Sequence, residues 1–130
     1  MPKPTYLKGV IYMEKLLFLC YPKCSTCQKA KKWLMEHQVE FTERHIAENN
    51  PTYEELKSWY QQSGLPLKKF FNTSGLIYKE MKLKEKLPTM TEEEQLELLA
   101  TNGMLVKRPL VICKNKVFTG FKEAEWEGLL

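Results

Sequence analysis

The stretch Leu19-Cys-Tyr-Pro-Lys-Cys-Ser-Thr-Cys-Gln-Lys-Ala30 decides how the chain is read, because Cys20, Cys24 and Cys27 fall within eight positions. As C-x3-C-x2-C it is a metal or cluster cage. As a strand cysteine followed by a separate C-x-x-C, it is a redox pair. On its N-terminal side, Glu14-Lys-Leu-Leu-Phe-Leu-Cys20 is a short apolar run stopped by Tyr21-Pro22, which at this length predicts a buried strand. On its C-terminal side the period becomes helical. From Ser25 to about His37, Cys27, Ala30, Trp33 and Leu34 share one face, and Lys29, Lys32 and Glu36 the other. The cysteines therefore stand at a strand-to-helix junction.

A zinc cage needs four ligands, and the second C-x-x-C or C/H pair is missing. His37 is at the far end of the same helix and His45 is on another strand. The iron–sulfur loop of radical enzymes that use S-adenosylmethionine has this spacing too, but those enzymes are built on a much longer barrel than 130 residues supply. The redox pair has a direct physical basis. A cysteine at a helix start faces unpaired backbone N–H groups and the positive end of the helix dipole, which stabilise its thiolate. A second cysteine one turn later is placed to displace the product and close a small ring. Cys24 is thus the expected nucleophile and Cys27 the expected resolving thiol. Ser25 and Thr26 make the intervening turn polar and accessible, which argues against two cysteines that merely pack. Cys20 and Cys113 lie in apolar strand runs and are expected in the core.

Outward from the junction, Val39 to Ile46 predicts a second strand, parallel to the first through a right-handed crossover. Thr52-x-x-Glu55 is a capping box opening a helix through about Gln62, closed by Gly64. Pro66 starts a short helix through Phe71, and Gly75 marks the next break. Leu76 to Lys86 is weakly helical. Thr91-x-x-Glu94 is a second capping box, whose helix ends at Asn102-Gly103. Leu110 to Cys113 and Val117 to Thr119 flank Lys114-Asn-Lys116 as a hairpin, and Lys122 to Leu130 closes the chain as a helix. The expected order is β-α-β, a helical block, then β-β-α, an α/β fold with one small mixed sheet. Residues 1–12 are expected to be an extension ahead of a single domain, 13–130, with a helical insertion over about 50–104.

Composition narrows the function. At 43% hydrophobic and 28% charged, the chain is an ordinary globular sequence. The net charge of +4 is spread along the chain with only two arginines, Arg44 and Arg108, so no dense basic stripe points to direct nucleic-acid binding. No apolar run approaches the ~20 residues of a membrane span. Four cysteines without a secretory signal pattern point to the reducing cytoplasm.

Taken together, Tyr21-Pro-Lys-Cys-Ser-Thr-Cys-Gln-Lys-Ala30, Phe71-Asn-Thr-Ser-Gly75, Lys107-Arg-Pro109, Thr119-Gly-Phe121 and Glu125-Trp126 resemble the arsenate reductase-like family, which includes the ArsC, Spx and YffB types, over Met13 to Leu130. The resemblance implies a thioredoxin-like fold with a helical insertion. It also implies a cis Pro109 facing the active cysteine, with Arg108 before it binding an oxyanion or the Cys24 thiolate, and substrate contacts from Ser25, Thr26 and Pro109. Cys27 matches the redox-switch cysteine of the regulator branch. Where glutaredoxin-coupled arsenate reductases carry further arginines, this chain has Asn72-Thr73-Ser74 and Lys122. Losing such forks should weaken arsenate binding, because each charge-assisted hydrogen bond is typically worth about 1.5–3 kcal/mol. The implied function is a cytosolic thiol–disulfide oxidoreductase acting on arsenate or glutathione mixed disulfides. No resident cofactor or metal is expected, and electrons would come from glutathione, glutaredoxin or thioredoxin. The alternative is an Spx-like redox-sensing regulator that binds the RNA polymerase α subunit.

Overall fold

The computed structural model describes residues 4–7, 10–13 and 16–130, the first two segments as backbone alone. These two segments are strands, β1 (Pro4–Leu7) and β2 (Val10–Met13), paired antiparallel. Residues 1–3, 8–9 and 14–15 lie outside the described residues, and with them part of the expected extension and the expected start of the first sheet strand at Glu14.

The main sheet begins with β3 (Leu16–Cys20), which ends at the Tyr21-Pro22 stop. Helix α1 (Ser25–Glu36) follows, and β4 (Phe41–His45) then pairs parallel to β3. Late in the chain, β5 (Leu110–Cys113) and β6 (Lys116–Thr119) form a hairpin whose tight turn places Lys114 at φ 56°. Strand β5 runs antiparallel to β3, so the sheet order is β4-β3-β5-β6 and the sheet is mixed.

The pleat sorts the strand side chains onto two faces. Leu16, Phe18 and Cys20 of β3 and Val111 of β5 join Ala30, Trp33 and Leu34 of α1. Trp126 and Leu129 from the closing segment complete this cluster, where α6 (Glu123–Trp126) runs into a 3-10 turn. Trp126 is fully buried, meets Phe18, Trp33 and Phe121 edge-on, and donates its indole N–H to the Gly120 carbonyl at 3.3 Å.

Leu19 and Leu110 face the other way, into the helical block between β4 and β5. Its helices are α2 (Tyr53–Ser63), α3 (Leu76–Glu80), α4 (Leu83–Lys86) and α5 (Glu92–Thr101), with 3-10 turns at Leu67–Phe70, Leu87–Thr89 and Gly103–Leu105. Both capping boxes form. Thr52 and Thr91 each accept the backbone N–H three residues on, and Glu55 and Glu94 accept in return. Gly64 closes α2 at φ 68°, a conformation that favours glycine. The weakly patterned Leu76–Lys86 segment is two short helices, because Lys82 adopts φ 52° between them.

Two contacts tie the block to the sheet. The Arg44 guanidinium, near the end of β4, grips Glu55 with both terminal nitrogens at 2.7 and 2.9 Å, and also donates to the Asn49 and Asn50 carbonyls. Gly103 packs so closely on the backbone after β4 that a Cβ there would stand 1.7 Å from the Ile46 carbonyl oxygen.

Candidate redox site

The site grows from Tyr21, the residue immediately after β3. Its carbonyl accepts the Cys24 N–H at 2.9 Å, which folds Tyr21–Cys24 into a turn and delivers the chain to α1. Cys24 is the N-cap of α1, in extended conformation (φ −84°, ψ 121°), and its thiol makes no capping bond. The sulfur thus sits at the helix N-terminus, partly buried against the α1-side cluster. Ser25 and Thr26 occupy the first turn and are exposed, and Gln28 pins the loop by donating to the Pro22 carbonyl at 3.0 Å.

Cys27 lies one turn along on the inward face, 2% exposed. Its sulfur accepts the Tyr21 N–H at 3.3 Å. The neighbouring Cys20 thiol, followed by burial, pushes the Cys27 thiol well up, while the Tyr21 N–H and Cys24 work against that rise. Cys27 therefore rests as a thiol.

The antiparallel register Leu19↔Leu110, continued two steps, sets Tyr21 opposite Arg108. The guanidinium carbon stands 5.2 Å from the Tyr21 ring centroid, a cation–π contact. Tyr21 also meets His45 edge-on at 5.7 Å. Arg108 reaches the Met104 carbonyl at 3.5 Å and, among the described residues, forms no ion pair with a carboxylate. The Arg108–Pro109 peptide bond is cis, and buried Pro109 accepts the Gly120 N–H at 2.8 Å. The structure thus gathers Cys24, Cys27 and Arg108 around Tyr21, with Ser25 and Thr26 on the open side. Asn72 is instead buried in its own turn, where its side-chain oxygen accepts from Ser74 and its carbonyl accepts the Gly75 N–H.

Two features went unread in the sequence. Tyr21 links the thiols to the arginine, and its signal was its place directly after the strand. Cys20 is in the core as expected, 3% exposed, but it is not set apart from the pair, because it adjoins Cys27. Period-two alternation with Leu16 and Phe18 was the available signal. Its S–H donates to Glu43 Oε2 at 3.4 Å, and Glu43 Oε1 in turn pairs with Lys31 Nζ at 2.8 Å. Among the described residues, no three His, Cys, Asp or Glu side chains converge as a metal-binding group. Cys27 is the thiol that both of the other two reach, Cys20 raising it and Cys24 working against that rise.

No helix among the described residues is long and apolar enough to cross a membrane. Comparison with known proteins agrees with the geometry. The chain is 62% identical over 112 residues to the uncharacterized protein YusI of Bacillus subtilis, covering 86% of this chain and 95% of that one. It is 35% identical over 112 residues to the regulatory protein MgsR of the same organism, covering 86% of this chain and 87% of the relative. An ArsC family related protein from Bacteroides fragilis superposes with a TM-score of 0.87 at 67% identity, over 89% of this chain and 98% of that one. The model of the ArsC family matches residues 19–129, and with the thiol pair, the cis-proline and the mixed sheet in place, the chain belongs to the ArsC family, with its thioredoxin-like fold.

Proposed function

We propose that the protein is a cytosolic thiol–disulfide oxidoreductase in which Cys24 attacks and Cys27 resolves. The observation that carries this is the Tyr21 junction. It sets one sulfur at a helix N-terminus and the other one turn behind it on a backbone N–H, with a guanidinium across the ring. The Cys24 thiolate attacks a sulfur of a disulfide or glutathione adduct, and the other sulfur leaves as a thiolate. Cys27, on giving up its proton, attacks the mixed disulfide at Cys24, releases the second thiol and closes the Cys24–Cys27 bond. Two electrons from glutathione, glutaredoxin or thioredoxin reopen it. Arg108 offers its planar fork to an anionic substrate group, a glutathione carboxylate or a small oxyanion such as arsenate. Ser25 and Thr26 offer hydroxyls from the first turn, and Pro109 closes the site from the β5 side.

The test is a turnover panel of arsenate, glutathionylated peptide and hydroxyethyl disulfide, with glutathione and thioredoxin supplied separately. Cys24→Ser should abolish turnover, and Cys27→Ser should accumulate a mixed disulfide. Full turnover by Cys24→Ser overturns the proposal.

The 35% identity to a relative named as a regulatory protein favours a second reading, a redox-sensing regulator that docks on the RNA polymerase α subunit through the helical block around Thr52 to Gly64. A pull-down with the α subunit, under oxidising and reducing conditions, decides it. No binding in either state removes this second role.

A further inference from the structure

Cys20 is a buried thiol that the two-cysteine cycle leaves unused, yet its surroundings are those of a reacting group. On one side its S–H donates to Glu43 Oε2 at 3.4 Å, and Lys31 holds the opposite oxygen of that carboxylate at 2.8 Å. On the other side lies Cys27. The Tyr21 nitrogen that donates to Cys27 Sγ at 3.3 Å is the peptide nitrogen joined to Cys20. Standard backbone dimensions put that nitrogen about 2.4 Å from the Cys20 Cα, so the Cys27 sulfur is within about 6 Å of that Cα. Both cysteines belong to the same buried cluster, and partly buried Cys24 packs against it.

We propose that Cys20 is a second resolving thiol, which takes over the disulfide from Cys24 by forming a Cys20–Cys27 bond, with Glu43 as its proton acceptor. The step rests on the Cys24–Cys27 disulfide of the proposed function. The Cys20 proton passes to the Glu43 carboxylate, and the resulting thiolate attacks Cys27 Sγ. The Cys20–Cys27 bond forms as the Cys24–Cys27 bond breaks, and the electron pair leaves on Cys24 Sγ as a thiolate at the helix N-terminus. One disulfide is exchanged for another, so no external oxidant or reductant enters. Glu43 then returns its proton to solvent, since its side chain is 36% exposed. The Lys31 ammonium holds Glu43 below the usual carboxylate range, which keeps it ionised at rest and quick to give the borrowed proton up again. The consequence is functional. Cys24 regains a free thiolate while the oxidising equivalent is stored in the core, so one chain attacks twice before a reductant must reach it.

Disulfide mapping tests this on the intact chain. Wild type, Cys20→Ala and Cys24→Ser are treated with one equivalent of hydrogen peroxide, alkylated, digested and read by mass spectrometry. Wild type should contain both Cys24–Cys27 and Cys20–Cys27 isomers, the second with Cys24 alkylated. Cys24→Ser should close Cys20–Cys27, and Cys20→Ala should hold only Cys24–Cys27. Wild type holding Cys24–Cys27 alone, with Cys24→Ser keeping both Cys20 and Cys27 as free thiols, overturns the proposal and leaves the proposed function standing. Failure of both wild type and Cys20→Ala to close any internal bond overturns the two together. Wild-type mapping depends on no variant's folding. Glu43→Gln should slow the appearance of the Cys20–Cys27 isomer by roughly a hundredfold, the low end of general-base effects. An unchanged rate overturns the part assigned to Glu43.

Discussion

The two faces of the β4-β3-β5-β6 sheet are equally dry but differ in what they bury. The α1 side holds Cys20 and Cys27 among Phe18, Trp33 and Trp126, and polar contacts reach the sulfurs through Glu43 and Tyr21. The opposite side holds leucines and aromatics from α2 to α5, with Leu19, Leu56, Phe70, Leu99 and Leu110 all fully buried. Alternation along β3 divides the labour. One residue turns toward the thiols and the next toward the block, so a substitution on either face acts through a different set of contacts. The difference teaches that burial at this site serves two ends. On the thiol side it helps push the Cys27 thiol up, and on the block side it anchors the helical segment that brings the chain back to Arg108.

Trp126→Ala should be the largest break in that comparison. Emptying a fully buried tryptophan typically costs about 3–5 kcal/mol. Here the cavity opens beside Phe18 and Trp33, so faster alkylation of Cys27 should accompany the lower denaturation midpoint. An unchanged alkylation rate would separate aromatic packing from thiol protection.

Gly103→Ala probes the seam of the block side. The new methyl meets backbone at Ile46, which has no flexible end to swing away, and overpacking of this kind costs about 3 kcal/mol. Urea unfolding should show the loss, while Cys24 alkylation in the folded protein stays at the wild-type rate.

Arg44→Ala removes the clamp between β4 and α2. It strips donors from Glu55 and from the Asn49 and Asn50 carbonyls, at a cost of about 2–3 kcal/mol. The same clamp sets a pH dependence. Arg44, opposed by burial and helped by Thr52, holds the Glu55 carboxyl below the usual range. Its contribution is therefore fully present above the unfolded value of about 4.3 and is lost as pH falls through the folded value. Between about pH 7 and about pH 3, wild type should lose more stability than Glu55→Gln, whose amide does not titrate. Equal acid sensitivity would place the titrating group elsewhere.

Thr91→Ala is the smallest effect, about 1 kcal/mol for a lost cap at the exposed start of α5. It should leave thiol reactivity untouched, which marks the far limit of the block's influence on the site.

Local chemistry made much of this legible before any coordinates. Proline after β3, two Thr-x-x-Glu boxes and Gly64 punctuate the chain through bonds within a few residues, and each element they bound is present. The Cys24 position followed from the same logic. The split of Leu76–Lys86 did not, because nothing local requires a lysine at φ 52°, the residue at which α3 and α4 part while Tyr78 and Leu83 on either side are buried in the block. Asn72, at a position where related reductases were expected to carry an arginine, is a buried turn residue, and its burial was not legible because only the fold around it closes over that turn.

What the sequence determined by itself was the strand-to-helix junction, the C-x-x-C at the helix start and the order of elements, since capping, period and turn chemistry are short-range. Tertiary structure alone decided which thiols meet. Glu43 comes to Cys20 through the parallel pairing of β3 and β4, Arg108 comes to Tyr21 through the antiparallel register with β5, and Cys27 comes to Cys20 because α1 lays its apolar face on that side of the sheet. These partners lie far apart along the chain or on opposite sides of a turn. Alternation along β3 tells which strand residues share a face. The meeting also depends on register and on which face α1 covers, and these involve residues too far apart for a local pattern to encode.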